Sequence, residues 1–180
     1  MNENMGESRT KLWLPFLLTF IILILDQVTK AWVVRTIEYH TIGYSFFNEF
    51  LRIIHTRNLA IAFSIGAGLP DTLRSVLFIL FPTLVMVALV FFYFRTDEVT
   101  GFQRWCLAAI LGGGLGNIID RIFRPLGVVD FIDVKFYGIF GLERWPTFNV
   151  ADSSVVMAGI LLIISMLVSE RINNRQTSNG

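Results

Sequence analysis

Cysteine and histidine are nearly missing from this chain, and their scarcity closes off several chemistries. Cys106 is the single cysteine, so no intrachain disulfide can form and the sequence carries no redox evidence about compartment. Inside an apolar run its expected role is that of a small buried hydrophobe. His40 and His55 are the only histidines. With no HExxH motif and no Cys/His cluster, a zinc centre is not expected. No serine motif has a histidine and an aspartate nearby, which argues against triad chemistry. Charge is scarce too: 16% of residues are charged and the formal net charge is +1. Without a basic stripe and an aromatic face to stack bases, no nucleic-acid partner is expected. Internal repeats are also missing, as is the symmetry between halves expected of many transporters.

What the chain has in abundance is apolar length. Of its 180 residues 54% are hydrophobic, and the mean hydropathy is +0.62, which places it with polytopic membrane proteins. A bilayer core takes about 20 apolar residues. Four runs qualify, roughly 12–34, 73–94, 104–123 and 151–169, within a single expected membrane-embedded domain. The first has no small-residue cleavage site after it and is interrupted by Asp26-Gln-Val-Thr-Lys30, so it reads as a retained helix. The second carries no charge between Ser75 and Phe94 and reads as lipid-facing scaffold. The third has fifteen uncharged residues, Trp105 to Ile119, before Asp120 and Arg121. The fourth has Asp152 in its first turn. Residues 36–70 are too polar to span, and stretches such as Phe50-Leu-Arg-Ile-Ile-His-Thr56 alternate as short strands do. The expected fold is an all-α membrane protein of four transmembrane helices, with a small sheet between helices 1 and 2.

The order of the spans returns the acids to one face. Asp26 and Lys30 lie late in span one, Asp120 late in span three and Asp152 early in span four, and the segment holding Asp130 joins the last two. An ionisable group at membrane depth costs about 2.5–3.5 kcal/mol on insertion scales, so such a cluster is a functional-site candidate. Both termini and the short 95–103 connection fall on the opposite face. The positive-inside rule weighs short loops most, which favours that opposite face as cytoplasmic.

Within span three, Gly112 and Gly116 share a face that lets helices approach closely in lipid. Asn117, Asp120 and Arg121 stand at i, i+3 and i+4 and can form one polar cluster. For Asp120 with Arg121, an ion pair that fixes helix geometry and a direct catalytic role both remain open. Asp130, in Val128-Val-Asp-Phe-Ile-Asp-Val134, is flanked by apolar side chains in a membrane-hugging loop, a setting that raises a carboxyl pKa. Asp133 lacks that signature and is expected to be solvated or to cap. Asn149 and Asp152 are three apart at the start of span four, where capping is the alternative to chemistry. Asp26 and Lys30, at i and i+4, can form an internal ion pair. Two carboxylates within a few ångströms tend to share a proton, and such a pair can activate water and protonate a leaving amine.

Five ordered motifs carry a resemblance: Asp26-Gln-x-x-Lys30, Arg57-Asn58 with Ala62-Phe63, Gly116-Asn-x-x-Asp-Arg121, Val129-Asp-Phe131 and Phe148-Asn-x-Ala-Asp152. Covering nearly the whole chain, they resemble the bacterial lipoprotein signal peptidases, also called signal peptidase II. The resemblance implies an aspartyl endopeptidase that removes the signal peptide from diacylglyceryl-modified prolipoproteins, cleaving before the lipidated cysteine. Its dyad falls on Asp130 and Asp152. Asp120 is the rival for the first place, because Gly-Asn-x-x-Asp is itself a family hallmark, although adjacent Arg121 would hold it ionised. Asp120, Arg121, Asn117, Asn58, Asn149, Asp26 and Lys30 take supporting or substrate-binding roles. The resemblance further implies no metal or organic cofactor, membrane lipids as surroundings, the cyclic peptide globomycin as inhibitor, and a monomer. It implies a multi-pass protein of the cell inner membrane with its site and its substrate-cradling sheet at the periplasmic face and its termini in the cytoplasm.

Two departures from the family pattern stand out. Ala60 occupies a position where the family usually has glycine, and a left-handed backbone there would cost about 1–2 kcal/mol. The segment 136–146 between the two aspartates is a few residues longer than usual, and its aromatic character suggests a flap at the lipid surface. Two other classes compete with a peptidase. A proton- or ion-coupled transporter would use the same buried acids, and a non-catalytic membrane binding or assembly factor would use them only as ion pairs.

Overall fold

Four helices of the chain are long and apolar enough to cross a membrane. The computed structural model describes residues 12–58, 70, 72–73, 76–96 and 99–178. Helix α1 is Phe16–Thr36, and α2, Phe81–Arg95, is entered through a π-helical turn at Val76–Leu80. Helix α3 is Gly101–Phe123, and α4 is Val150–Ser178, apolar over Val150–Ile172. Each lies within a few residues of its expected run. Large apolar side chains such as Phe20, Phe81, Phe91 and Ile163 are exposed, as they must be where lipid is the solvent. A helix suits that solvent because it satisfies its backbone polar groups internally.

Small residues put α3 at the centre. Of its span 56% is buried, against 11% for α2 and α4. Successive glycines turn by about 100° per residue and so meet different neighbours. A Cβ on Gly112 would sit 2.8 Å from Thr19 O of α1, one on Gly113 would collide with Ala151 O of α4, and one on Gly114 would collide with Met86 of α2. Close approach then allows interhelical hydrogen bonds at membrane depth. Thr19 Oγ1 donates to Ala108 O at 2.7 Å, and Ser154 Oγ donates to Ala109 O at 2.9 Å. At the start of α3, Thr100 and Gln103 cap reciprocally, which satisfies two donors that the first turn leaves open.

A four-stranded antiparallel sheet, ordered β1-β2-β3-β4, accompanies the bundle. Its strands are β1 (Ile42–Phe46), β2 (Leu51–Asn58), β3 (Val128–Ile139) and β4 (Leu142–Arg144). Only half of it therefore comes from between α1 and α2; the other half lies between α3 and α4, so the all-α description is too narrow. Asp130, expected in a loop, is paired with Thr56 in the sheet. The longer segment folds as the β3–β4 hairpin, turning at Gly138 and Gly141, both at positive φ. Asp133 is neither solvated nor a cap: it is buried, and Arg144 Nε donates to its two oxygens at 2.6 and 2.7 Å. The reading missed this because Arg144 comes back to Asp133 only when the hairpin closes. Val33 of α1 and its C-cap residue Ile37 pack with Val129 and Phe131 of β3, which fixes the sheet on the end of the bundle where the acids gather. Ala60, Ala62 and Phe63 lie outside the described residues.

Candidate active site

The core of the site is a cation with all its donors spoken for. Lys30 is fully buried, and its Nζ lies 2.8 Å from Asp26 Oδ2, 3.0 Å from Asn117 Oδ1 and 3.2 Å from Asp120 Oδ2. An ammonium has three protons, so three acceptors satisfy it completely. Asp26 uses its other oxygen to accept from Ala151 N of α4 at 3.0 Å. Gln27 donates to Asp26, to Asp120 and to Gly116 O, each at 3.1 Å. Asp120 also accepts from Arg124 Nε at 2.9 Å and from Val129 N at 3.0 Å. This network bolts α1, α3, α4 and the start of β3 together. Its members Gln27, Arg124 and Val129 N were not anticipated; Gln27 lay inside the first motif and Arg124 one helical turn after Asp120.

Of the two readings left open for Asp120 with Arg121, the ion pair does not form: Asp120 takes Lys30 and Arg124 instead. Side chains one residue apart on a helix point about 100° apart, so Arg121 leaves the network and lines a cavity instead. Among the described residues its buried Nε has no hydrogen-bond partner, and it interacts electrostatically with Asp152, Asp130 and, least of the three, Asp120.

Asn149 and Asn117 connect the ion network to the two remaining aspartates. Asn149 is the N-cap of α4: its Oδ1 accepts from Asp152 N at 2.9 Å, and Asp152 Oδ2 accepts from Asn149 N at 3.1 Å. That reciprocal pair is a capping box with Asp at its third helical position. Capping and site membership, opposed readings of Asp152 in the sequence, therefore coexist. The other oxygen of Asp152 accepts from Asn117 Nδ2 at 2.7 Å. Asn149 Nδ2 donates to Asp130 Oδ1 at 2.8 Å and lies 3.1 Å from Asn117 Oδ1. Because Lys30 only donates, it fixes which end of the Asn117 amide is oxygen. Asn58, at the end of β2, donates to Asp130 Oδ2 at 3.2 Å.

Asp130 is 4% exposed. Burial, reinforced by the charge of Asp152, pushes its pKa up to about 7, against the opposing pull of Asn58, Asn149 and Lys30. Asp130 and Asp152 both line a cavity of about 600 Å³, together with Asn58, Asn117 and Arg121. Its apolar wall includes Val155, Val156 and Met157 of α4. Val156 and Met157 are also exposed on the outside of that helix, so the cavity wall adjoins the lipid-facing surface. Among the described residues, no group of three or more His, Cys, Asp or Glu side chains is arranged to hold a metal ion. All nine residues singled out in the sequence thus converge: Asp26, Lys30, Asn117, Asp120, Asn149 and Asp152 in one hydrogen-bonded network, Asn58 and Asp130 on its edge, and Arg121 across the cavity.

Known proteins similar to this chain match it along most of its length. The family model described as signal peptidase (SPase) II matches residues 18–168. The lipoprotein signal peptidase of Treponema pallidum (strain Nichols) is 45% identical over 166 residues, 92% of this chain and 89% of that protein. The corresponding protein of Borrelia hermsii (strain HS1 / DAH) is 49% identical over 160 residues, covering 89% and 93%. A bacterial membrane enzyme solved by the in meso method at 2.3 Å resolution superposes with a TM-score of 0.74 at 31% identity, covering 87% of this chain and 88% of that one. Four membrane-spanning helices, an acid cluster at one end of them and a family match over residues 18–168 lead to one conclusion: the chain is a multi-pass membrane peptidase and belongs to the signal peptidase II family.

Proposed function

We infer that the chain is an aspartyl endopeptidase of one membrane-embedded domain that removes the signal peptide from diacylglyceryl-modified prolipoproteins, cutting before the lipidated cysteine. The observation that carries this reading is the pair Asp130 and Asp152 on one cavity, bridged by Asn149. Asp130, pushed up to about 7, carries the proton in the reactive form of the pair, and Asp152 is the base. Asp152 takes a proton from water as the water oxygen attacks the scissile carbonyl carbon. Asp130 gives its proton to the carbonyl oxygen. The resulting diol collapses: the C–N bond breaks, Asp152 returns its proton to the leaving amine, and Asp130 recovers one from the diol hydroxyl. Atoms balance without a covalent enzyme intermediate.

The surroundings suit that substrate. Arg121 lines the cavity, and its Nε, without a partner among the described residues, suits a substrate carbonyl. The apolar wall at Val155, Val156 and Met157 suits a signal peptide and acyl chains arriving from the bilayer. The same reading places the protein in the cell inner membrane as a monomer, with the site and sheet at the periplasmic face, both termini cytoplasmic, no cofactor, and globomycin as an inhibitor of the dyad.

A gel-shift cleavage assay on a diacylglyceryl prolipoprotein tests it. Asp130→Asn and Asp152→Asn are expected to lose cleavage by about 10²–10⁴-fold, the usual scale for an acid or base. Asp120→Asn retains turnover in the folded fraction. Full cleavage by Asp130→Asn with loss in Asp120→Asn would move the dyad to Asp120 and Asp152.

A further inference from the structure

The aromatic residues of the sheet take no part in the chemistry above, yet they form a connected series. Trp32, exposed late on α1, stacks on Tyr44 of β1 at 5.7 Å with 17° between the rings. Tyr44 stacks on Phe46 at 6.5 Å and 17°. Beyond a bulge between Ile42 and Tyr44, Tyr44 and Phe46 alternate along β1 and share one sheet face. At the bulge Gly43 lies close to α1, since a Cβ there would sit 2.5 Å from Ile37 Cδ1. Phe47 follows in the turn and is 80% exposed. At the same end of the sheet, Phe50 stacks on Tyr137 at 6.3 Å, Lys135 Nζ lies 5.5 Å from the Tyr137 ring, and Phe140 is 89% exposed.

Three of these residues sit where their backbone disfavours them. Phe47, Tyr137 and Phe140 have φ of 53°, 55° and 54°, in the left-handed region that bulky L residues rarely adopt. Glycine serves that conformation next door, at Gly138 and Gly141. Large apolar rings in strained positions and 80% and 89% exposed, as Phe47 and Phe140 are, gain little from water.

We propose that the two hairpin tips are a bilayer seat, with lipid headgroups and upper acyl chains as the occupant of the Phe47, Tyr137 and Phe140 surface. Continuity is the first argument: the Trp32–Tyr44–Phe46 stack runs unbroken from the lipid-facing side of a spanning helix to the tip. Composition is the second, because Trp and Tyr favour the membrane–water boundary and a lysine beside them favours phosphate. Reach is the third. Asp130 pairs with Thr56, whereas the tips begin beyond Leu51, about 17 Å further along the strand at 3.3 Å per residue. The tips thus lie well past the residues flanking a scissile bond. The seat holds β3, and Asp130 with it, against the membrane.

The test uses the full chain with Cys106→Ala, reconstituted in phosphatidylethanolamine/phosphatidylglycerol vesicles. Bimane is attached at Phe47→Cys or Phe140→Cys. Lipids carrying a doxyl group near the headgroup are expected to quench both labels, and iodide to quench them less than it does in detergent. Full iodide access in vesicles with no doxyl quenching overturns the proposal. This readout does not depend on the peptidase reading. Phe47→Ser with Phe140→Ser is expected to lower cleavage about fivefold in vesicles and leave it unchanged in detergent, the pattern of a lost interfacial anchor. An equal loss in both media would mean that the rings seat substrate, and would also overturn it.

Discussion

Asp120 is ringed by donors: Lys30 and Arg124 as cations, Gln27 and the Val129 N–H as neutral groups. Asp130, also buried, receives among the described residues the amides of Asn58 and Asn149. That contrast separates their roles. Burial, reinforced by the charge of Asp152, outweighs the pull of Asn58, Asn149 and Lys30 at Asp130, which is why it is pushed up to about 7. The pH dependence follows. Above about 7 Asp130 loses the proton that the proposed mechanism requires, so kcat/KM declines with an alkaline limb, tenfold per pH unit once well above the midpoint. Vesicles buffered alike on both sides should show it, and a profile flat to pH 9 would sink the assignment. Stability follows with its own sign. A carboxyl whose folded pKa is raised binds its proton more readily when folded, so its contribution is present below about 4 and is lost as pH rises through about 7. The loss amounts to at most roughly 4 kcal/mol at 1.36 kcal/mol per unit. Asp130→Asn removes a charge that is costly only when ionised, so its melting temperature relative to wild type should rise between pH 5 and pH 8.

Helix α3 has to be lean to do its work. Gly116 faces Asp26: a Cβ there would meet Asp26 Oδ2 at 2.5 Å and Ala151 Cβ at 3.3 Å. Gly116→Ala must therefore push α1 or α4 away, at about 1–3 kcal/mol for overpacking. The displacement strikes Asp26, whose contacts hold Lys30 and the first turn of α4. A lowered melting temperature together with lost cleavage is expected, whereas Gly101→Ala, which meets nothing within 4 Å, leaves both unchanged. Helix α4 in turn begins on Asn149, so the group that caps the element also aims both aspartates. The β3–β4 hairpin is pinned in the same economical way. One guanidinium, Arg144, reaches the Asp133 carboxylate and the Glu49 carbonyl of the β1–β2 turn, at 3.1 and 3.2 Å for the latter.

In the proposed topology four crossings, an even number, put both termini on one side and the sheet on the other. A reporter active only in the cytoplasm, fused after Gly180, is expected to be active, and the same reporter inserted at Gly141 in the β3–β4 turn is expected to be silent. The reverse pattern would invert the proposed topology. Lysine and arginine counts alone left this open, since both faces carry them. The proposed direction comes instead from the family reading joined to the position of the acids.

The sequence by itself determined the four spans and the gathering of acids at one end, because hydrophobic length and the parity of crossings need no knowledge of contacts. It also marked the two aspartates and their asparagines, whose types and spacing are local. Only the tertiary structure decided how the charges divide. Arg121 and Arg124 are both near Asp120 in sequence, but a helix turns one toward the cavity and brings the other back to the carboxylate. Asp133 and Arg144 meet only across a closed hairpin, and β3 joins β2 across about seventy residues of chain. Strand pairing and buried ion pairs are set by what lies opposite, which a reading along one chain does not see.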